Sequence, residues 1–197
     1  MRIGIDARLI SETGIGRYIR NILAELSKLN RDHEYVIYVS GSQKAHLVPH
    51  DSRFTTRNFR SHWHTVEEQC VGPYVFGKDH LDLIHIPYVT IPILYTGKMV
   101  VTIHDLTLLQ EKTGKASTLP APLYKLKHQA LRTVLSVGLR NTSGVICVSH
   151  ATEDAVTRQY PFLQGRTTVI YEGVDETLQS TVQLHDDAPR LTGPYFL

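Results

Sequence analysis

The sequence lacks any apolar run near the roughly 20 residues that a membrane-spanning helix needs. Charges at both ends of the first apolar run, residues 2–6, indicate a strand rather than a signal peptide. Cysteine is scarce: Cys70 and Cys147 have no motif spacing, which favours the reduced thiols of a cytosolic protein over a disulfide. The net charge is only +2, so bulk electrostatics give no reason to expect a nucleic-acid partner.

Short apolar runs alternate with segments of helical periodicity along most of the chain. This alternation is typical of a parallel sheet covered by helices on both faces. Strands are predicted at residues 3–5, 35–39, 54–59, 81–86, 99–103, 145–148 and 168–171. Helices are predicted at residues 15–29, 123–139 and 149–160, and a shorter one from residue 65 is expected to stop at Gly72-Pro73. The predicted fold class is α/β, Rossmann-like and doubly wound, with a mainly parallel sheet.

A glycine turn links the first strand to the first helix and consists of Gly14, Ile15, Gly16 and Arg17. The start of a helix has free backbone N–H groups and a dipole that attracts anions. Glycines let that backbone approach a ligand closely. A cation in the first helical turn, such as Arg17, is unfavourable unless an anion compensates for it. The turn therefore predicts a ligand that carries phosphate or carboxylate, although an ordinary tight turn also explains the glycines.

The residues after the glycine turn exclude two common nucleotide motifs. A dinucleotide fingerprint requires a third glycine, where this chain has Ile19. A P-loop requires lysine and then serine or threonine after its last glycine, where this chain has Arg17 and Tyr18.

Polar residues follow several predicted strands, at the edge where parallel sheets bind ligands. His104 follows the central strand and is suited to bind a hydroxyl or phosphate oxygen near neutral pH, although a strand-end histidine with a purely structural hydrogen bond is the alternative. Asp105 is expected to cap the next helix or to orient a ligand hydroxyl. Ser149 is expected to cap a helix. Glu172 lies either in an ordinary turn or near a ligand hydroxyl.

The same edge also offers candidate metal ligands, since His85, His104, Asp105 and His150 all follow predicted parallel strands. None of these residues has the His-x-x-x-His or His-Glu-x-x-His spacing of common zinc sites. The expectation is therefore no metal, and a metal-dependent hydrolase is the least favoured function.

The pattern changes after Asp175, which predicts a domain boundary. Residues 1–175 are expected to form one Rossmann-like domain. Residues 176–193 are polar, without periodicity, and indicate a linker. Residues 194–197 (PYFL) are expected to begin a further strand of a second domain.

Four motifs occur together and in order: TGIGRY at residues 13–18, TIHDL at 102–106, VSHAT at 148–152 and VIYEGVD at 169–175. In this combination the chain resembles the N-terminal half of glycosyltransferase family 4, the retaining enzymes of the GT-B fold. Within that family it looks most like bacterial mannosyltransferases that build lipopolysaccharide or other surface polysaccharide.

The resemblance implies an acceptor-side domain that faces a separate nucleotide-sugar domain across a cleft. Gly14, Ile15, Gly16 and Arg17 would then bind the donor diphosphate, and His104 would be the catalytic histidine. The donor would be a nucleotide sugar such as GDP-mannose, with no cofactor and no obligate metal.

On the acceptor side, the resemblance implies that Tyr88, Asp105, Ser149 and Glu172 line the cleft. The acceptor would be a glycan or a lipid-linked glycan, and the enzyme would be cytoplasmic, with peripheral contact at the inner face of the membrane. This chain alone would be inactive without its C-terminal domain. A stand-alone regulatory module that binds an anionic metabolite is the principal alternative.

Overall fold

The computed structural model describes residues 1–29, 32–107 and 120–173. In these residues the chain forms a single parallel β-sheet flanked by helices. Seven parallel strands pair in the order β3-β2-β1-β4-β5-β6-β7. They are β1 (Arg2–Asp6), β2 (Glu34–Val39), β3 (Phe54–Asn58), β4 (Leu83–Ile86), β5 (Met99–Ile103), β6 (Gly144–Cys147) and β7 (Thr167–Val169). The strand order reverses between β1 and β4, which is the switch point where such sheets bind ligands. This confirms the predicted fold class.

In the described residues, four α-helices connect or follow these strands: α1 (Gly14–Lys28), α2 (Val66–Lys78), α3 (Ala121–Asn141) and α4 (His150–Gln159). The same residues contain two short 3-10 helices, Ser42–Leu47 and Pro161–Leu163. Within the described ranges, no helix combines the length and apolar character needed to cross a bilayer.

Hydrophobic side chains cover both faces of the sheet. In β2, Tyr35 and Ile37 pack in the cluster that includes Ile19 and Leu23 of α1. The alternate residues of β2 point to the other face, into a larger cluster with residues of α2, α3 and α4. Two-sided burial explains why the strands are continuous apolar runs rather than alternating ones.

The predicted end of α2 at Gly72-Pro73 is wrong, because the helix continues through Pro73 to Lys78. An interior proline costs a helix about 3 kcal/mol. The turns after it bury Phe76, which is 1% exposed and lies edge-on to Phe59 with ring centroids 5.4 Å apart. Burial of each large apolar side chain contributes about 1.5–3 kcal/mol, so the apolar face of α2 offsets the cost of the proline.

The predicted linker at residues 176–193 and the predicted strand start at residues 194–197 lie outside the described residues. The domain boundary at residue 175 stays a prediction.

Candidate functional site

The carboxyl edge of the sheet gathers most of the predicted site residues. His104 and Asp105 follow β5, Ser149 follows β6, and Glu172 lies shortly after β7. Tyr88 follows β4, which borders the switch point. The glycine turn begins α1 after β1, on the other side of that switch point.

His104 is held at both ring nitrogens. Its Nδ1 lies 2.7 Å from a carboxylate oxygen of Glu172, and its Nε2 lies 3.0 Å from the backbone carbonyl of Pro87. Both partners carry oxygen acceptors, and a ring nitrogen donates to one of them only when it carries a proton. The two contacts fix the orientation of the ring, and the His104 side chain is 15% exposed.

Ser149 and Thr152 connect the start of α4 to the backbone of His104. Its hydroxyl oxygen accepts a 3.1 Å hydrogen bond from the backbone N–H of Thr152, which confirms the predicted cap of α4. The hydroxyl of Thr152 in turn donates to the carbonyl of His104 at 3.1 Å. The start of α4 is thereby fixed to the end of β5.

The two glycines of the turn differ in their surroundings. A Cβ added at Gly14 would meet nothing within 4 Å, so this residue faces open space. A Cβ at Gly16 would lie 2.7 Å from the carbonyl oxygen of Ile10 and 2.9 Å from that of Leu9. Gly16 is therefore required by the approach of the chain to itself, whereas Gly14 leaves the helix start accessible. Arg17, the residue after Gly16, is exposed.

Tyr18 connects the glycine turn to His104. The two rings are edge-on, with centroids 4.8 Å apart and planes at 89°. The Tyr18 hydroxyl lies 3.0 Å from the hydroxyl oxygen of Thr102 on β5. Tyr18 lies inside the TGIGRY motif and Thr102 begins the TIHDL motif, but the sequence gives no signal that the two hydroxyls meet.

Asp105 lies near enough to Tyr88 for its charge to act on the Tyr88 hydroxyl. Asp105 is exposed, and one of its carboxylate oxygens accepts a 2.8 Å hydrogen bond from the backbone N–H of Thr107. Tyr88 is half-buried; burial and, to a smaller extent, the charge of Asp105 raise the pKa of its hydroxyl. Its ring lies edge-on to His64 at 5.8 Å. The described hydrogen bond of Asp105 is thus a local one, to the backbone two residues later.

A buried ion cluster, here called the Arg8 cluster, lies at the end of β1 and consists of Asp6, Arg8 and Glu68. The Arg8 guanidinium contacts both Asp6 oxygens, with Nε at 2.9 and 3.1 Å and Nη2 at 2.6 Å, and it also pairs with Glu68. It donates to the carbonyl of Ser61 at 2.9 Å and stacks over Phe59 at 4.2 Å. The sequence gives no signal for this cluster, since Glu68 lies 60 residues beyond Arg8.

Charge balance explains the titration of the cluster. Burial alone would lower the pKa of Arg8, but the charges of Asp6 and Glu68 and their hydrogen bonds raise it overall. Burial raises the pKa of Glu68 although Arg8 opposes the shift. A cavity between the cluster, Trp63 and Tyr88 measures about 10 Å³, too small for a sugar.

The histidines considered for a metal site have other partners. Nε2 of His85 lies 2.8 Å from the hydroxyl of Thr102, and His150 lies 3.4 Å from Glu153. Among the residues that the structure describes, no three histidine, cysteine, aspartate or glutamate side chains group as metal ligands.

Comparison with known families decides the class of this protein. The family model for glycosyltransferase family 4 matches residues 13–178. The chain belongs to this family. A glycosyltransferase from Rickettsia africae ESF-5 has a similar fold, with a TM-score of 0.54 at 16% identity. The match covers 88% of this chain and 43% of that enzyme, so this family 4 domain spans less than half of the Rickettsia protein.

Two further comparisons add nothing to this assignment. The carbonyl reductase Sniffer of Caenorhabditis elegans matches 88% of this chain and 98% of its own length at 12% identity, but its TM-score of 0.43 is too low to support an argument. No protein with a curated description matches the sequence.

Proposed function

We propose that this family 4 domain is the acceptor side of a retaining glycosyltransferase. It would serve the transfer of a hexose, with mannose favoured, from a nucleotide sugar such as GDP-mannose to a glycan or lipid-linked acceptor of bacterial surface polysaccharide. Residues 1–175 form the domain in this proposal, and a C-terminal domain after the linker binds most of the donor. The reaction is proposed to take place in the cytoplasm, at the inner face of the membrane.

The observation that carries the proposal is the arrangement of His104 beside an open helix start. The Glu172 carboxylate and the Pro87 carbonyl hold the His104 ring in one orientation, and the first turn of α1 is an electropositive centre. Glycosyl transfer from a nucleotide sugar develops negative charge on the departing phosphate. Preorganised hydrogen-bond donors and cations that stabilise such charge make the largest single contribution to the rate enhancement of many enzymes.

Each predicted site residue has a role in this proposal. Gly14, Ile15, Gly16 and Arg17 bind the donor diphosphate, with Gly14 as the point of closest approach, since its surroundings are open. His104 contacts the donor sugar or the reacting phosphate.

Four residues make up the acceptor side of the cleft. Asp105 and Glu172 are its exposed carboxylates, and Tyr88 forms the wall next to them. Ser149 acts by capping α4, since its hydroxyl oxygen already accepts the N–H of Thr152.

The test is transfer by the full-length protein, assayed with a panel of radiolabelled GDP- and UDP-sugars. We expect His104→Ala to lower kcat about a hundredfold or more, the range for losing one preorganised donor. His46→Ala is the matched control, because His46 is exposed on a 3-10 helix between β2 and β3. Equal rates for His104→Ala and the control would overturn the proposed role of His104.

Calorimetry of the 197-residue chain against the same nucleotide sugars tests the assignment to the acceptor side. Weak or undetectable binding is expected, since most donor contacts belong to the second domain. Tight binding by this chain alone would instead favour the regulatory module that recognises an anionic metabolite.

A further inference from the structure

Tyr18 of α1 contacts both His104 and the buried Thr102 of β5. Its ring meets the His104 ring edge-on at 4.8 Å, and its hydroxyl lies 3.0 Å from the hydroxyl of Thr102. Burial raises the pKa of Tyr18, in spite of the opposing hydrogen bond to Thr102, so the hydroxyl keeps its proton at neutral pH. Tyr18 is therefore held as a neutral group between the glycine turn and the histidine.

Thr102 connects Tyr18 to a second buried group. It is fully buried on β5, two residues before His104, and its hydroxyl also lies 2.8 Å from Nε2 of His85 on β4. Burial lowers the pKa of His85 to about 4, with a further contribution from the nearby His104. At neutral pH His85 is uncharged, with one donor and one acceptor nitrogen.

The three groups form a hydrogen-bond chain, here called the Tyr18 chain, that runs from His85 through Thr102 to Tyr18. Each hydroxyl both donates and accepts, so every link can be made in either direction. A buried polar chain whose links are all made is rigid, because breaking one link leaves a desolvated group without a partner. The far end of this rigid chain is the ring that packs against His104.

We propose that Tyr18 is a positioning residue for His104. The Tyr18 chain fixes the phenol ring, and the ring fixes the imidazole at a set distance from the glycine turn. Pro87 and Glu172 hold the two ring nitrogens, but Tyr18 sets the plane of the ring by packing against it edge-on. The proposal rests on the proposed function only in so far as His104 is the group that acts on substrate.

Two variants break the chain at different links, and each has a conservative control. Tyr18→Phe keeps the ring and removes the hydroxyl, whereas Tyr18→Leu removes both. Thr102→Val removes the shared hydroxyl at nearly constant shape, and Thr102→Ser restores it. Urea unfolding of each variant separates folded proteins from those that have lost their structure.

The direct readout is the pair of side-chain nitrogen signals of His104, observed by ¹⁵N-edited NMR at several pH values and assigned by their loss in His104→Ala. We expect these signals to shift in Thr102→Val, in Tyr18→Phe and most in Tyr18→Leu, and to stay as in the wild type in Thr102→Ser. Unchanged His104 signals in folded Tyr18→Phe and Thr102→Val would overturn the proposal. This readout does not depend on sugar transfer, so it distinguishes a failed positioning role from a failed functional assignment.

The kinetic readout uses the full-length protein. We expect Tyr18→Phe to lower kcat about tenfold with little change in the donor KM. A catalytic group misplaced by about 1 Å can lower the rate about a hundredfold, so a smaller displacement of His104 accounts for a tenfold loss. Combined with His104→Ala, Tyr18→Phe should cause no further loss, because a positioning residue has no effect once its target is gone. A tenfold loss that persists in the His104→Ala background would show that Tyr18 acts independently, and would also overturn the proposal.

Discussion

Replacing Arg8 with alanine tests how the end of β1 is held, because Arg8 is the counter-charge for two buried carboxylates. Arg8 is 2% exposed, Asp6 5% and Glu68 1%. Removing the guanidinium leaves two negative charges in an apolar region with no cation between them. Its stacking on Phe59 is lost as well.

The expected cost follows from this burial. Breaking a buried ion pair by removing one partner costs about 3–5 kcal/mol, a large part of the roughly 5–15 kcal/mol that stabilises a domain. Arg57→Ala is the matched control, since Arg57 pairs with Asp79 at 3.2 Å but has a side chain that is 48% exposed. A surface pair of this kind contributes less than about 1 kcal/mol.

The cost of Arg8→Ala should also depend on pH through Glu68. Burial already raises the pKa of Glu68 above its ordinary value of 4.5 while Arg8 lowers it, so removing Arg8 raises that pKa further. A carboxyl whose folded pKa exceeds its unfolded pKa loses stability as pH rises through the folded value. The difference in unfolding free energy between wild type and Arg8→Ala should therefore be largest at neutral pH and narrow toward pH 5.

Urea unfolding followed by fluorescence measures this difference, because Trp63 is the single tryptophan and lines the cavity beside Arg8. The double variant Arg8→Ala/Glu68→Gln should lose less stability than Arg8→Ala and show a flatter pH dependence. A cost for Arg8→Ala no greater than that for Arg57→Ala at pH 7 would refute the reasoning. So would a difference that stays constant between pH 7 and pH 5.

Three smaller predictions concern individual side chains. Gly16→Ala should lower the unfolding free energy by about 1–3 kcal/mol, because its Cβ would press on two loop carbonyls, whereas Gly14→Ala should leave the urea midpoint nearly unchanged or raise it. Ser149→Ala should cost about 1 kcal/mol through the lost cap, and a cost below about 0.3 kcal/mol in the same assay would contradict this. Burial raises the pKa of the Cys147 thiol to about 11, so a disulfide reagent at pH 8 should titrate only the exposed Cys70 in the native protein and both thiols in urea.

The strands and most helices were predictable because their signals are local. Buried parallel strands appear as short apolar runs, and Ser149 marks the start of α4 by a capping preference that depends on a few residues. The end of α2 was not predictable by the same means. Pro73 is a local signal against a helix, but the contact between Phe76 and Phe59 that outweighs it depends on tertiary packing.

The candidate site was predictable as a set of positions but not as a set of pairs. The rule that parallel sheets bind ligands at their carboxyl edge selects His104 and Glu172 by their positions after β5 and β7. The rule does not predict that His104 and Glu172 contact each other, because β6 lies between β5 and β7 in the sheet. The contact between the Glu172 carboxylate and Nδ1 of His104 depends on the three-dimensional arrangement of the chain after β7. The partners that fix the orientation of the His104 ring lie 17 and 68 residues away in sequence. The placement of this ring is therefore decided by strand order, and strand order is the property that local sequence patterns leave open.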